Sequence, residues 1–150
     1  MISVSKYGIW GVNSSDEIWY REGVSHINRT GTKWTKIDGF LKYLSVGDYG
    51  FWGVNSSDEI WYRNNVSLSN SKGDGWTKID GFLKNISVDV NGVWGVNSND
   101  EIFYREGVNE FNHKGTGWVK IEGRLKQISA GYFGLYGVNQ NDEIFAKEIN

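Results

Sequence analysis

The sequence predicts an all-β repeat protein, and three observations lead to that prediction. One segment, WGVNSSDEIWYR at 52–63, occurs four times with small changes. Its copies begin at Trp10, Trp52, Trp94 and Tyr136, so each step is 42 residues. The chain also combines 20 glycines and 23 aromatic residues with no proline, which is typical of short strands joined by tight turns. No window of the chain keeps the 3.6-residue period of a helix.

The repeat length and its apolar pattern favour one architecture. A fixed period of roughly 20–50 residues indicates a repeat fold. Apolar residues occupy both faces of the strand candidates, as in Ile18, Trp19 and Tyr20, so each sheet is expected to be covered on both sides. Repeated four-stranded units of about 40–45 residues are typical of a β-propeller. We therefore predict an all-β propeller of four-stranded, 42-residue blades, three full and one partial. The predicted single domain, 1–150, divides into repeats 2–43, 44–85, 86–127 and 128–150.

Four strands are predicted in each unit, and the first unit illustrates them. Ser3–Ser5 is short, and its small residues suit a crowded position where the inner strands converge. Ile9–Asn13 and Glu17–Arg21 are separated by a cluster of Asn, Ser and Asp, whose side chains bond their own backbone in turns. The fourth strand, Trp34–Asp38, is expected to close at the glycine that follows. The segment 22–33 differs most between units and is predicted to be a variable loop.

Composition and charge exclude several classes of partner. The chain has 16 basic and 18 acidic residues, so it lacks the basic field that nucleic-acid binding requires. It has no cysteine for disulfides or thiolate metal sites. No apolar run approaches the ~20 residues that cross a bilayer, and the first residues do not form a signal peptide. We expect no nucleic acid, no membrane insertion, and a chain that is cytoplasmic or secreted with a leader absent here.

The recurring residues resemble the tectonin repeat. The shared pattern, W-G-V-N-x-x-D-x-I-[WFY]-Y-R-x-G followed by G-T-x-W-x-K-I-x-G-x-L-K-x-I-S-x-G, covers essentially the whole chain. That family includes fish-egg lectins, slime-mould and fungal tectonins, and horseshoe-crab lectins that bind bacterial lipopolysaccharide. The resemblance implies a propeller, commonly of six blades, that binds carbohydrate at several equivalent sites, without cofactor or catalysis. This chain departs from the family in holding too few units for six blades.

Each unit contains the two kinds of residue that sugar recognition needs, an aromatic face and polar groups for the hydroxyls. In the first unit Trp34 lies beside the variable loop. Asn13 begins the predicted turn, and Tyr20 and Arg21 end the predicted third strand. Other interpretations stay open: Asp16 could cap its turn, the arginines could pair with carboxylates, and Trp10 and Trp52 could be core between blades. The candidate ligand-binding residues are Trp34, Trp76, Trp118, Asn13, Asn55, Asn97, Arg21, Arg63, Arg105, Tyr20, Tyr62 and Tyr104.

No pattern in the sequence indicates an enzyme. The polar residues repeat with the scaffold, whereas catalysis usually depends on one asymmetric group of residues. His26 and His113 occupy non-equivalent loop positions, and no nucleophile or metal-ligand motif is present. We expect no catalysis, metal or cofactor. The expected function is multivalent binding of glycans on microbial or cell surfaces. The alternative is a protein-interaction scaffold without sugar binding. In that case the chain could be an engineered or fragmentary repeat protein.

The fourth unit is the least complete copy. Ala146 and Lys147 stand where the other units have Tyr and Arg. Lysine lacks the planar fork with which arginine makes paired hydrogen bonds. If the arginine contacts ligand, the fourth unit is therefore expected to bind poorly.

An open arc of blades would also leave apolar faces at both ends, with residues such as Ile9, Trp10, Ile144 and Phe145. Large exposed apolar patches usually mark an interface. We therefore expect a homo-oligomer, in which two chains close one ring.

Overall fold

Fifteen short strands form four antiparallel sheets in residues 1–148, the part of the chain that this computed structural model describes. The strands follow chain order within each sheet, so each sheet is one blade of a β-propeller. The first three blades have four strands and the fourth has three, which confirms the predicted all-β propeller. The strands are β1 Ile2–Ser5, β2 Gly8–Val12, β3 Glu17–Arg21, β4 Trp34–Phe40, β5 Tyr43–Gly47, β6 Gly50–Val54, β7 Glu59–Arg63, β8 Trp76–Phe82, β9 Asn85–Asp89, β10 Gly92–Val96, β11 Glu101–Glu106, β12 Gly117–Arg124, β13 Gln127–Gly131, β14 Gly134–Val138 and β15 Ile144–Lys147.

The turn between the second and third strand of each blade is built by one asparagine. Asn13 Oδ1 accepts hydrogen bonds from the backbone N–H of Ser15 and of Glu17, both at 3.0 Å. Its amide Nδ2 donates to the Glu17 carboxylate at 2.8 Å. Asp16 completes the turn with a left-handed backbone, φ 60°, which Asn and Asp adopt more readily than other residues. The later blades repeat these bonds, so the asparagine holds the turn.

The fourth strand of each blade differs from its prediction. β4 runs through Gly39 to Phe40, and its pairing with β3 shifts register between Glu17 and Ile18. Gly39 lies in the resulting bulge with φ 94°, a conformation that glycine adopts without steric cost. The prediction that the strand closes at this glycine is therefore wrong. The bulge carries the strand onward and places Phe40 at the surface, where it is 63% exposed.

Three buried clusters hold consecutive blades together, and we call these contacts the first, second and third joints. Each cluster takes side chains from the facing sides of two blades, which explains why the strands are apolar on both faces. Trp10 and Trp52, with no exposed surface, lie in the first and second joints. The main buried side chains are Trp10, Ile18, Leu41, Leu44 and Phe51 in the first joint, Trp52, Ile60, Leu83, Ile86 and Val93 in the second, and Trp94, Val96, Leu125, Ile128 and Leu135 in the third.

A leucine from one blade fits a glycine of the next at every joint. Leu83 is 2% exposed and lies against Gly95, where an added Cβ would overlap the Leu83 side chain. The same overlap would arise between Leu41 and Gly53 in the first joint. Glycine at this strand position therefore reflects close approach of a neighbouring blade.

The innermost strands are linked by serine hydroxyls. In each joint the serine of one inner strand accepts a hydrogen bond from a backbone N–H of the next inner strand. The small side chains leave an axial cavity of about 500 Å³. These bonds join Val46 N to Ser3 Oγ at 3.1 Å, Val88 N to Ser45 Oγ at 3.0 Å, and Ala130 N to Ser87 Oγ at 2.8 Å.

The four blades form an open arc. Within residues 1–148, no buried cluster joins the fourth blade to the first. Val4 of β1 is 70% exposed and Ile144 of β15 is 82% exposed, so the outer faces of both end blades present apolar side chains. The described chain also contains no helix of the length and apolarity needed to cross a bilayer.

Ion pairs tie the third strand to the fourth strand in each complete blade. Lys36 and, to a lesser extent, Asn13 donate hydrogen bonds that hold the pKa of the Glu17 carboxyl below its ordinary value. The pKa values of Glu59 and Glu101 are lowered by the corresponding lysine and asparagine. A carboxyl whose pKa is lower in the folded state stabilises the fold above its unfolded pKa and loses that contribution as the pH falls.

We predict that Gly95→Ala destabilises the chain by about 1–3 kcal/mol, because the methyl group overpacks the second joint. The added Cβ would meet both the Leu83 side chain and the Asn85 carbonyl, the latter at 2.8 Å. Urea unfolding measures the effect. Gly117→Ala is the matched control, since a Cβ there meets nothing within 4 Å. Equal stability of the two variants would contradict close packing at the joint.

We also predict that the urea midpoint falls as the pH drops below about 4.3, the ordinary pKa of glutamate. The folded-state pKa values of Glu17, Glu59 and Glu101 lie below that value, so folding is weakened as these groups take up protons. A series of midpoints from neutral to acidic pH tests this. In the triple variant Glu17→Gln, Glu59→Gln, Glu101→Gln, the urea midpoint should fall less steeply with decreasing pH. An unchanged dependence on pH would count against a stabilising role of these three Glu–Lys ion pairs.

Candidate functional site

An aromatic recess of about 250 Å³ opens at the first joint, and we call it the joint pocket. Blade one contributes the strand end that follows the bulge, and blade two contributes side chains from its turn and its two outer strands. Most of its surface is apolar, and one amide side chain provides a polar edge. The lining residues are Gly39, Phe40, Leu41, Asn55, Trp61 and Trp76.

Trp76 is held in the joint pocket by contacts on several sides. Its indole N–H donates to the backbone carbonyl of Asp38 in blade one at 2.9 Å. The Arg63 guanidinium lies 4.9 Å from the ring centroid, within the range of a cation–π interaction. The edge of Phe51 approaches at 5.2 Å between ring centroids. The bulge at Gly39 makes room, since a Cβ there would lie 3.0 Å from the indole nitrogen.

Two of the three predicted arginines link neighbouring blades. Arg63 is 4% exposed, and its Nη1 bonds the Asp38 carboxylate of blade one at 2.8 Å. Its Nε donates to the Lys72 carbonyl at 3.0 Å. Arg105 makes the matching bonds at the second joint. Arg21 bonds a loop carbonyl at 2.7 Å, and no acidic partner faces it within residues 1–148. The arginines of blades two and three therefore have their main hydrogen bonds inside the protein.

The other predicted residues are divided between the pocket and the core. Asn55 lines the joint pocket and also holds its turn, as Asn13 does in blade one. Tyr62 is 7% exposed and packs against Trp52 with ring centroids 5.4 Å apart. Trp34 is 42% exposed on the open face of blade one. The structure thus brings Trp76 and Asn55 together in the pocket and places Tyr62 in the core.

Two pocket residues were not predicted, Phe40 and Trp61. Both recur at the repeat period, as Phe82 and Phe103, so periodicity alone could have indicated them. The glycine before Phe40 predicts the end of the fourth strand, so the sequence does not place Phe40 in a strand. Trp61 lies in a strand that is apolar on both faces, so the sequence alone does not show which face it occupies.

The remaining joints repeat the pocket to different degrees. The second joint has counterparts of all three aromatic residues, and there the Trp118 indole donates to the Asp80 carbonyl at 2.8 Å. At the third joint Arg124 stands in the place of Phe40, and the described part of blade four has no outer strand to supply a tryptophan. On the open face of blade one, Trp19 and Trp34 line half of a pocket, about 360 Å³ in volume.

A second, more polar recess of about 580 Å³ lies between the variable loops of blades two and three, and we call it the loop groove. At the corresponding place between blades one and two, Lys72 pairs with Glu22 at 2.7 Å. Asn64 replaces that glutamate, and Phe111 beside it is 91% exposed. The groove residues are Tyr62, Asn64, Asn65, Asp74, Thr77, Glu110, Phe111, Asn112, His113 and Lys114.

The two recesses differ in the chemistry of their walls. In the described chain, no three His, Cys, Asp or Glu side chains are placed to hold a metal ion. The joint pocket offers flat aromatic surfaces with an amide at the edge, and the loop groove offers amides, two hydroxyl-bearing side chains and charged groups.

Solved structures share this fold. Yeast RCC1 (Prp20), solved bound to Kap60, is 10% identical with a TM-score of 0.56, over 93% of this chain and 41% of that one. Human WBSCR16 is 10% identical with a TM-score of 0.60, over 93% of this chain and 44% of that one. The computationally designed Ika4 protein is 9% identical with a TM-score of 0.62, over 99% and 89% of the two chains. The chain thus spans less than half the length of the first two proteins.

Sequence comparison identifies the family directly. No curated protein matches the chain in sequence. A family model described as the Tectonin domain matches residues 1–124 and again 93–150, and together these matches span every repeat. The chain belongs to the tectonin-domain family.

Proposed function

We propose that this chain is a multivalent lectin that binds carbohydrate in its joint pockets. The observation that carries the proposal is the recess of Phe40, Trp61 and Trp76 with Asn55 at its edge, together with its counterpart at the second joint. A site of this kind, mainly aromatic with a few placed polar groups, is the usual composition of a small-ligand pocket. The family match supports the same class of function.

The physical basis is complementarity to a sugar ring. The C–H face of a pyranose is apolar and can lie on Trp61 or Trp76, while its hydroxyls point to the polar rim. The Asn55 amide is already oriented, because its oxygen holds the backbone N–H of Ser57 and Glu59 at 3.0 Å. A pre-oriented side chain loses little conformational entropy when the ligand binds.

Multivalency follows from the repeated joints. The first and second joints carry complete sets of aromatic residues, the third lacks the outer-strand tryptophan, and blade one carries half a pocket. Linking two weak sites raises the strength of binding to a glycan-coated surface by about 10²–10⁴-fold. We propose glycans of microbial or cell surfaces as the ligands, with no catalysis and no cofactor.

The alternative is a protein-interaction scaffold. Yeast RCC1 (Prp20), which shares the fold, was solved bound to Kap60, and that complex prompts the alternative. A glycan array distinguishes the two functions: sugar-competed binding supports the lectin, and no binding to any glycan supports the scaffold.

We predict that Trp61→Ala removes sugar binding at the first joint. Isothermal titration with a sugar from the array should show about half as many sites per chain as the unchanged protein, or at least about tenfold weaker binding at one of them.

Phe111→Ala is the comparison variant, because this exposed side chain belongs to the loop groove. Unchanged binding in Phe111→Ala, with loss in Trp61→Ala, places the sugar in the joint pocket. The opposite pattern would contradict that assignment and move the site to the loop groove.

We further propose that two copies of the chain meet head to tail and close one ring. The end faces carry the unused halves of an internal joint: Ser129 matches the hydroxyl acceptors of the other inner strands, and Val4 N matches their donors. Exposed apolar side chains at both ends, Ile2 and Ile144 among them, would be covered by the contact.

Light scattering at micromolar concentration tests this proposal. We expect a mass twice the 17.1 kDa of one chain. Val4→Asp, which puts a charge on the exposed inner edge, should reduce the mass to that of a single chain. Leu68→Asp, at an equally exposed loop position, should leave the larger mass unchanged. A single-chain mass for the unchanged protein would refute the closed ring of two chains.

A further inference from the structure

The loop groove keeps a cation but lacks the carboxylate that pairs with this cation one repeat earlier. Between blades one and two, Lys72 donates a hydrogen bond to the Glu22 carboxylate at 2.7 Å. This bond is the main cause that holds the pKa of the Glu22 carboxyl below its ordinary value. In the loop groove, Lys114 stands at the position of Lys72, and Asn64 stands at the position of Glu22. The groove therefore has an amide where the preceding pair has an acid.

The lysine keeps its place in the fold although its partner has changed. Lys72 Nζ lies 5.9 Å from the centroid of the Tyr20 ring. Lys114 Nζ lies 5.9 Å from the centroid of the Tyr62 ring, which is the matching tyrosine of the next blade. The Lys114 side chain is exposed, and within residues 1–148 it forms no ion pair. Its ammonium group is therefore available to a ligand.

Asn64 presents a donor in the place where Glu22 presents an acceptor. The Thr77 hydroxyl donates to Asn64 Oδ1 at 2.8 Å, which fixes the orientation of the amide. In the described part of the chain, 1–148, Asn64 Nδ2 donates no hydrogen bond. The Lys114 ammonium and the Asn64 NH₂ group are thus two donors that line one groove. Two donors, one of them charged, match an anionic acceptor such as a carboxylate.

The remaining walls of the groove suit a sugar ring. Phe111 is 91% exposed, so the apolar C–H face of a pyranose can lie on its ring. The Asp74 and Glu110 carboxylates line the same groove and can accept hydrogen bonds from hydroxyl groups. Both acids are exposed, so salt screens their repulsion of a ligand carboxylate, whereas the contact with Lys114 is direct. The volume of about 580 Å³ is in the usual range of small-ligand pockets.

We propose that the loop groove binds a glycan that carries a carboxylate on its sugar ring, that is, a hexuronic acid. The ligand carboxylate takes the place that the Glu22 side chain has between blades one and two. It accepts hydrogen bonds from Lys114 Nζ and Asn64 Nδ2, while the sugar ring lies on Phe111. This site is separate from the joint pocket, and it shares with the proposed function only that the ligand is a carbohydrate.

Nuclear magnetic resonance titration of the isotope-labelled full chain tests the proposal. The probes are the methyl glycosides of glucuronic and galacturonic acid. The comparison ligands are the methyl glycosides of glucose and galactose, which have a hydroxymethyl group in place of the carboxylate. We expect at least one acid to shift the amide signals of Asn64, His113 and Lys114 saturably. The neutral sugars should bind there at least about tenfold more weakly, since charge-assisted hydrogen bonds are the stronger ones. No saturable shift with either acid, or equal affinities for acid and neutral sugar, would overturn the proposal.

Two variants locate the ligand carboxylate. Asn64→Glu restores the acid that blade one has at this position, so it should pair with Lys114 and weaken uronide binding at least about tenfold. Lys114→Met removes the charge from an exposed side chain and should weaken binding to the same extent. Ser69→Glu is the matched control, because it adds a negative charge to the same loop as Asn64 but outside the groove, and it should leave the affinity unchanged. Unchanged affinity in Asn64→Glu or in Lys114→Met, or an equal loss in Ser69→Glu, would overturn the proposal.

Trp61→Ala separates this inference from the proposed function. The substitution alters the joint pocket and should not change the affinity of the uronide for the loop groove. Uronide binding that is lost in Trp61→Ala and kept in Lys114→Met would place the acid in the joint pocket and overturn the groove assignment. The reverse pattern supports the groove, whether or not a neutral sugar binds at the joint.

Discussion

The packing of each blade against the next is the constraint on which this structure depends. A single four-stranded sheet of this size has apolar side chains on both faces and can bury neither alone. Each joint buries one face of two blades at once, through a leucine set against a glycine, as Leu41 is against Gly53. The cross-blade bond from Arg63 to Asp38 and the serine hydroxyls at the axis fix the distance between neighbouring sheets. The 42-residue period reflects this requirement, since every blade must present the same two faces.

The proposed binding pockets are a by-product of the same joints. The bulge at Gly39 lets the indole of Trp76 reach the carbonyl of Asp38, and the strand end that follows brings Phe40 to the rim. A repeated polar residue can therefore stabilise the contact between two blades, while the aromatic residue beside it stays available to a ligand. Arg63 is an example of this. Its guanidinium binds the Asp38 carboxylate of the neighbouring blade, whereas Trp76, whose ring the guanidinium contacts, remains half-buried. A pocket is therefore complete only where two blades meet and the second of them has an outer strand.

Much of the fold could be predicted from the sequence, because the period and the two-faced strands leave few alternatives to a propeller. The Asn-Ser-Ser-Asp turns also follow from local chemistry. The expectation that Trp10 lies on an exposed end face is wrong, because its side chain is buried in the first joint. The bulge could not be predicted, since Gly39 has the same appearance as a strand terminator. Nor could the sequence separate Arg21 from Arg63, which have nearly identical neighbours along the chain. Arg63 faces a neighbouring blade that supplies Asp38, whereas Arg21 bonds a carbonyl of its own loop. A repeated sequence does not show on which side a blade has a neighbour.

Residue-resolved hydrogen exchange tests the central claim that the joints, rather than hydrogen bonding within each sheet, set the stability of the blades. β6 and β14 are each paired on both sides within their sheets, but β6 has a joint on both faces and all five of its residues are buried, whereas β14 has a joint on one face and only two of its five residues are buried. The account predicts that β6 amides exchange at least about tenfold more slowly than β14 amides, because local opening is easiest where few apolar contacts are lost. Equal protection of β6 and β14 would contradict it.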